Sequence, residues 1–377
     1  MEFRWSEEQE LLRKAAREFA EEVVAPRVAQ MEETGEFPAE ILGEMGSRGL
    51  VGLNVPAEYG GLGLGQLERM ITLEEVGRVS SAVAMTLQVF HMGIEPIVRF
   101  GNEEQKRRLL PDLASGKRFA TVAVTESTGG SDPTGGQATA RLEGERYLLN
   151  GRKIFITNAR LADVQVVMVR TKDDPKEFSV FIVERGFPGF RPGRREKKVG
   201  MHGADTGEVI LENCPVPKEN LLGKEGDGLR IALKVISEVG RSGMAGAALG
   251  IARASLEAAA KFAQERVLYG KPISKLQGIQ WKVAEMVLDL EASRLIVYRA
   301  AWLRDQGIRC DAEMAMAKLH STEAALKAAR YASEVLGGYG VMEDFPVARF
   351  YRDALVLGPS GGTSEIMKAV IARSALG

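Results

Sequence analysis

Cysteine, histidine and net charge are all scarce in this chain of 377 residues, and each scarcity removes a class of function. Cys214 and Cys310 stand far apart in no motif, which excludes a disulfide framework and suits a reducing cytosol. His91, His202 and His320 are scattered without metal-ligand spacing, so no metal site is expected. Basic residues number 50 against 51 acidic ones, with no basic block, so nucleic acid is not an expected partner. Apolar runs such as "VQVVMV" fall far short of the ~20 residues that cross a bilayer. The opening "MEFRWSEEQE" carries charge where a secretion signal is apolar. A soluble, cytoplasmic protein without a membrane role is the expectation. No P-loop is present, and "GGLGLG" lacks the spacing and strand-to-helix setting of a dinucleotide fingerprint.

What remains is length and period. The chain exceeds the usual size of a single core, so two or three domains are expected. In residues 1–118 the pattern is helical. Ser6 with Gln9 reads as a capping box, and Leu11, Leu12, Ala15, Ala16, Phe19 and Val23 follow helical spacing until Pro26 ends or kinks the run. Helix resumes around 38–50, breaks at "PAEYGGLGLG" and returns from 67 to about 113. Residues 119–222 read as short β-rich runs between turns. "RYLLN" and "KIFIT" flank the turn signal Asn150-Gly151, followed by "VQVVMVRT", "FSVFIVE" and "EVILEN". With no helices between them, these strands suggest a compact antiparallel barrel or sandwich. Residues 223–377 return to long, alanine-rich helices at roughly 229–266, 274–306 and 311–336, the pattern of an antiparallel bundle.

Near the end, "LGPSGGTSEIMK" places Pro359, Gly361 and Gly362 before Thr363, Ser364 and Glu365. Glycines there let backbone approach a ligand, and the hydroxyls and acid can cap the next helix. This stretch is one of six that, in fixed order, resemble the acyl-CoA dehydrogenase family. The others are "AVTESTGGSD", "NGRKIFITNA", "VPKENLLGKEGDG", "RVLYGKPISKLQGIQ" and "EVLGGYG". The resemblance spans almost the whole chain. It implies a helical N-terminal domain, a small β-domain and a C-terminal four-helix bundle, in agreement with the period reading. It also implies FAD as cofactor, an acyl-CoA substrate in fatty acid metabolism, an electron-transferring flavoprotein as acceptor, and a homotetramer built as a dimer of dimers.

Residue by residue, the resemblance places Val124 and Thr125 along the flavin edge, with Phe155 and Thr157 beside the ring. Phe155 stands where the family commonly has tryptophan. Arg266 and Tyr269 match the cationic and aromatic positions for the diphosphate, and Gln277 the adenine side. Gly337 and Gly338 match a backbone that hugs the diphosphate of an FAD held by a neighbouring subunit. Glu334 departs from the family's usual glutamine, and a carboxylate there is unfavourable unless it points away. Thr363 and Glu365 match flavin-side positions, with helix capping as the plain alternative. Ser131, Glu238, Arg241, Gly361 and Gly362 match the thioester side, and by the same resemblance Ser131 also counts among the FAD-binding positions.

The family's reaction needs a carboxylate to remove the substrate α-proton, because an α-C–H is a weak acid. Members take it from one of two positions, which here are Gly361 and Gly240. Glu238 is two residues from Gly240 and therefore faces elsewhere on a helix. The Gly361 N–H, by resemblance part of the oxyanion site, is retained. His91 and Glu95, in a segment the family places along the acyl pocket, are the candidate substitutes for the base. A divergent flavoenzyme (an oxidase, monooxygenase or acyl-thioester reductase) and a non-catalytic FAD or acyl-CoA binding protein are the rival readings.

Overall fold

Ser6 opens the first helix as its signature requires. Its Oγ accepts a hydrogen bond from Gln9 N (3.1 Å), and its own N–H donates to Gln9 Oε1 (3.0 Å). The structure, a computed structural model, describes residues 4–172 and 177–377. Helix α1 (Glu7–Glu18) widens into a π turn and kinks through Pro26 into α2 (Val28–Thr34). Helices α3 (Ala39–Ser47), α4 (Gln66–Val79), α5 (Ser81–Phe100) and α6 (Glu103–Ala114) complete the first domain. Helix α5 is long and apolar enough to cross a bilayer, but almost all of it is buried inside the protein.

The middle of the chain forms β1 (Ala120–Ala123), β2 (Thr139–Glu143), β3 (Arg146–Thr157), β4 (Val164–Arg170), β5 (Phe178–Glu184), β6 (Phe190–Arg195), β7 (Thr206–Pro217) and β8 (Leu221–Leu222). They share one sheet in the order β6-β7-β3-β2-β4-β5-β8, with β1 beside β4. Most pairs are antiparallel, as expected, but β1 runs parallel to β4 and β2 meets β4 in parallel at Thr139 and Arg170. A long connection separates β1 from β4, so no hairpin forces them antiparallel. Strands β4 and β5 are mostly apolar and buried except at their last residues, because both faces are covered. Val166 and Ile182 face the helical core, whereas Val167 and Phe181 belong to a second core within the β-domain.

One local expectation is corrected. Asn150-Gly151 does not turn the chain; β3 passes straight through it with a bulge against β7. Gly151 takes φ +149, and Asn150 pairs its side chain with Asn213 across the strands. The glycine serves close approach to β2, since a Cβ there would collide with Ala138.

The last domain holds α7 (Gly228–Val235), α8 (Arg241–Glu265), a hairpin of β9 (Val267–Leu268) and β10 (Lys271–Pro272), α9 (Gln277–Asp305), α10 (Asp311–Leu336), α11 (Pro346–Leu357) and α12 (Ser364–Leu376). Helices α8 to α11 form the four-helix bundle, and α10 packs on α8, α9, α11 and α12. Helix α8 also packs against α4 and α5, joining the bundle to the first domain in one core.

Candidate active site

Between α7 and α8 the helix widens into a π turn, Ile236–Gly240. Such a turn releases backbone carbonyls from the ladder, and side chains from α4 and α5 bind them. Val239 O accepts hydrogen bonds from Gln88 Nε2 and Arg69 Nη2, both at 2.8 Å, and Glu238 O accepts one from Gln66 Nε2 at 2.7 Å. These contacts hold Gly240 and Arg241 against the segment 358–363. That segment is itself anchored: Lys318 Nζ donates to Gly358 O (2.5 Å), and Ser360 Oγ donates to Val356 O (2.7 Å). Burial brings the Lys318 ammonium down to about 8.

Gly361 (φ +68) and Gly362 (φ +110) follow in left-handed or extended positive-φ backbone. Thr363 then caps α12, its Oγ1 accepting from Ile366 N at 3.3 Å. Glu365 sits in the first turn, where its own backbone N–H and the Thr363 hydroxyl hold its carboxyl below the usual range. Both residues are thus placed as helix-capping groups.

A Cβ on Gly361 would lie 3.2 Å from Met244 Cγ and 3.5 Å from Gly240 O. A Cβ on Gly240 would lie 3.1 Å from Met92 Cε. The two positions therefore share one small region lined by methionines. Arg241 donates to Ser237 Oγ (3.0 Å), which donates to Asp311 (2.9 Å); burial lowers its pKa and Asp311 opposes that. Glu238 does not join it. Its carboxylate pairs with Arg99 on α5, with Arg304 on α9 at 3.6 Å and with Lys234 at 3.7 Å.

The structure does not bring His91 or Glu95 to this region. His91 Nε2 bonds Leu50 O at 2.8 Å, and burial pushes its pKa down to about 3, so the ring is neutral. Glu95 is buried and paired with Arg304 and Arg99.

On the β-domain side, Val124 and Thr125 leave β1 in a loop tied to β3. Thr125 O accepts from Ile154 N (2.9 Å), and Val124 O accepts from Lys153 Nζ (3.2 Å). Lys153 is wholly buried and also binds Glu126 at 2.6 Å, and Glu126 accepts from Gln137 N and Ala138 N. The bulge between Lys153 and Ile156 throws Phe155 outward, at φ +56 and 62 % exposed. Thr157 lies at the strand end, its carbonyl accepting from Thr121 Oγ1 at 2.7 Å. Ser131 is exposed on the loop beyond.

Arg266, Glu334, Gly337 and Gly338 come together in a cleft of about 600 Å3 at the far end of the bundle. Arg266 lies over the Tyr339 ring, 5.8 Å from its centroid. A Cβ on Gly337 or Gly338 would meet nothing within 4 Å, so their backbone is open to the cleft. Glu334 turns its carboxylate to Lys282 and Arg330, which removes the repulsion expected of an acid here. Gln277 begins α9 at the edge of this region, and Tyr269 projects from the hairpin tip, 90 % exposed.

Sequence reading missed the groups that hold this geometry: Gln66, Arg69, Gln88, Lys153 and Lys318. Only Lys153 carried a signal, a lysine placed on the inward face of an alternating strand.

Family models for the N-terminal, middle and C-terminal domains of acyl-CoA dehydrogenase match residues 6–117, 121–214 and 226–376. The chain is 44% identical to an acyl-CoA dehydrogenase of Bacillus subtilis (strain 168) over 375 residues, 99% of either chain. It is 41% identical to an acryloyl-CoA reductase (NADH) of Anaerotignum propionicum, over 100% of this chain and 96% of that one. Among solved structures, a chain in the study of the electron transferring flavoprotein of Acidaminococcus fermentans superposes with TM-score 0.98 at 40% identity, covering all of both chains. The acyl-CoA dehydrogenase of Bacillus anthracis complexed with FAD superposes with TM-score 0.93 at 33% identity, over 99% of this chain and 67% of that one. The protein belongs to the acyl-CoA dehydrogenase family.

Proposed function

We propose that this protein catalyses FAD-dependent α,β-dehydrogenation of an acyl-CoA thioester and passes the electrons to an electron-transferring flavoprotein. Family membership supports the reaction, and the Acidaminococcus structure supports the acceptor. Its setting would be soluble and cytoplasmic, in fatty acid metabolism.

The residues present fit FAD. Arg266 has no carboxylate partner among the described residues, and the open backbone at Gly337 and Gly338 adds close approach, the combination a diphosphate needs. Gln277 would serve the adenine side. Phe155 offers an exposed aromatic face beside the Val124–Thr125 edge. When bound, FAD would supply the acceptor for the hydride that leaves the substrate β-carbon. The Gly361 N–H would polarise the thioester carbonyl, with Arg241 bordering the thioester channel and Ser131 nearer the CoA.

Two exposed surfaces support a homotetramer in which a neighbouring subunit completes each FAD site. Trp281, Leu288, Leu295 and Trp302 recur every seven residues on α9 and are each at least half exposed. Val267, Tyr269 and Val341 expose a second apolar area beside the cleft.

The proton is handled differently from the family pattern. The observation that carries this is the pair Gly361 and Gly240, whose shared region is lined by Met92 and Met244. The α-proton then leaves to water, not to a carboxylate of this chain. Loss of a general base costs about 10²- to 10⁴-fold, so slow flavin reduction by saturated acyl-CoA under anaerobic conditions is expected. Rapid bleaching by such thioesters would defeat the reading. A second reading, reduction of an activated enoyl thioester, is favoured by the identity to the Anaerotignum reductase. Reoxidation of reduced enzyme by enoyl-CoA in the absence of oxygen tests it.

A further inference from the structure

Gln88 on α5 is fully buried, and its carboxamide lies flat on the α8 backbone at Gly243, where any Cβ would overlap it. Nε2 donates to Val239 O at 2.8 Å, which fixes the amide's orientation: a flip would set two oxygens against each other. Oε1 has no hydrogen-bond partner among the described residues. An unpaired buried acceptor is unfavourable, so its retention points to a partner that arrives with a ligand.

Its place names the ligand. Gly361 abuts Gly240 and Met244, and Gly240 and Gly243 lie about one turn apart on the same side of α8. An acyl chain running along α8 from a thioester carbonyl at Gly361 would pass Gly240, Met92 and Met244 on its way to Gly243. One helical turn is about 5.4 Å, the reach of about three or four C–C bonds.

We propose that Gln88 Oε1 closes the acyl pocket and accepts a hydrogen bond from the substrate, so that the preferred substrate is a short acyl-CoA bearing a hydroxyl or amide N–H at its γ or δ carbon. This rests on the acyl-CoA reading above. Gln88 then acts as a polar specificity group, whose discrimination comes from the cost of leaving Oε1 unpaired by an alkyl chain.

Calorimetric titration of the FAD-loaded enzyme with butyryl-CoA and 4-hydroxybutyryl-CoA tests this without turnover. The hydroxylated thioester should bind about five- to tenfold more tightly, the value of one neutral hydrogen bond. Gln88→Met, which also gives up the Val239 O contact and so weakens both thioesters, should abolish the difference between them, with the flavin absorbance reporting that the fold is retained. Should Gln88→Met not fold, the wild-type comparison decides alone. Equal wild-type affinities for the two thioesters overturn the proposal, as does a preference that survives in Gln88→Met. Failure of both thioesters to bind overturns the acyl-CoA reading beneath it.

Discussion

Gly361 and Gly240 occupy opposite walls of one space: a Cβ on Gly361 would stand 3.5 Å from the Gly240 carbonyl oxygen. A carboxylate rooted on either wall would reach the same region, but the two walls are not equivalent. Gly240 has helical backbone (φ −64), whereas Gly361 sits at φ +68. Gly240→Glu should therefore fold well and gain up to about 0.5 kcal/mol of helix propensity, with Met92 Cε moving slightly. Gly361→Glu should cost about 1–2 kcal/mol from left-handed strain. Urea midpoints of the two variants against wild type check the difference.

Lys153 links both candidate flavin edges through one buried ion pair with Glu126. Lys153→Met leaves Glu126 buried without its cation and should cost about 3–5 kcal/mol. It should also weaken FAD binding, because the Val124–Thr125 loop and the Phe155 bulge share this anchor. Denaturant unfolding and equilibrium dialysis of FAD measure the two effects separately.

The seven-residue stripe on α9 predicts that Leu288→Asp with Leu295→Asp lowers the assembly state by disrupting an apolar interface. Light scattering after size exclusion should show a smaller particle with unchanged circular dichroism. An unchanged mass would remove α9 from the interface.

Acid stability should depend on Glu75, buried on α4 among Arg13, Arg17 and Arg253. Burial raises its pKa, but hydrogen bonds and charge from Arg17 and Arg253 outweigh this, and the net shift is downward from 4.5. A depressed carboxyl contributes stability above its unfolded pKa and loses it as pH falls through the folded value. Wild type should thus lose stability progressively below about pH 4.5. Glu75→Gln should be destabilised by about 3 kcal/mol at pH 7, with a flatter acid limb. Urea unfolding from pH 3 to 7 tests this.

The three-part architecture was legible because it rests on periodicity and on segments with fixed spacing. Ser6 and Gln9 were read correctly because a capping box is local chemistry. Asn150-Gly151 misled because glycine serves a bulge as readily as a turn, and Ala138, just ahead of β2, decides which. The π turn before Gly240 was invisible for the same reason: it is stabilised by Gln66, Arg69 and Gln88, which come from α4 and α5. Glu334 could be flagged from sequence, but only the fold places Lys282 beside it.

The direct test of the missing carboxylate is the rate of anaerobic flavin bleaching by a saturated acyl-CoA, compared between wild type and Gly240→Glu. The account predicts slow bleaching in the wild type and an increase of about 10²- to 10⁴-fold in the variant. Wild-type bleaching as fast as that of Gly240→Glu would contradict it, because some group of this chain would then already be taking the proton.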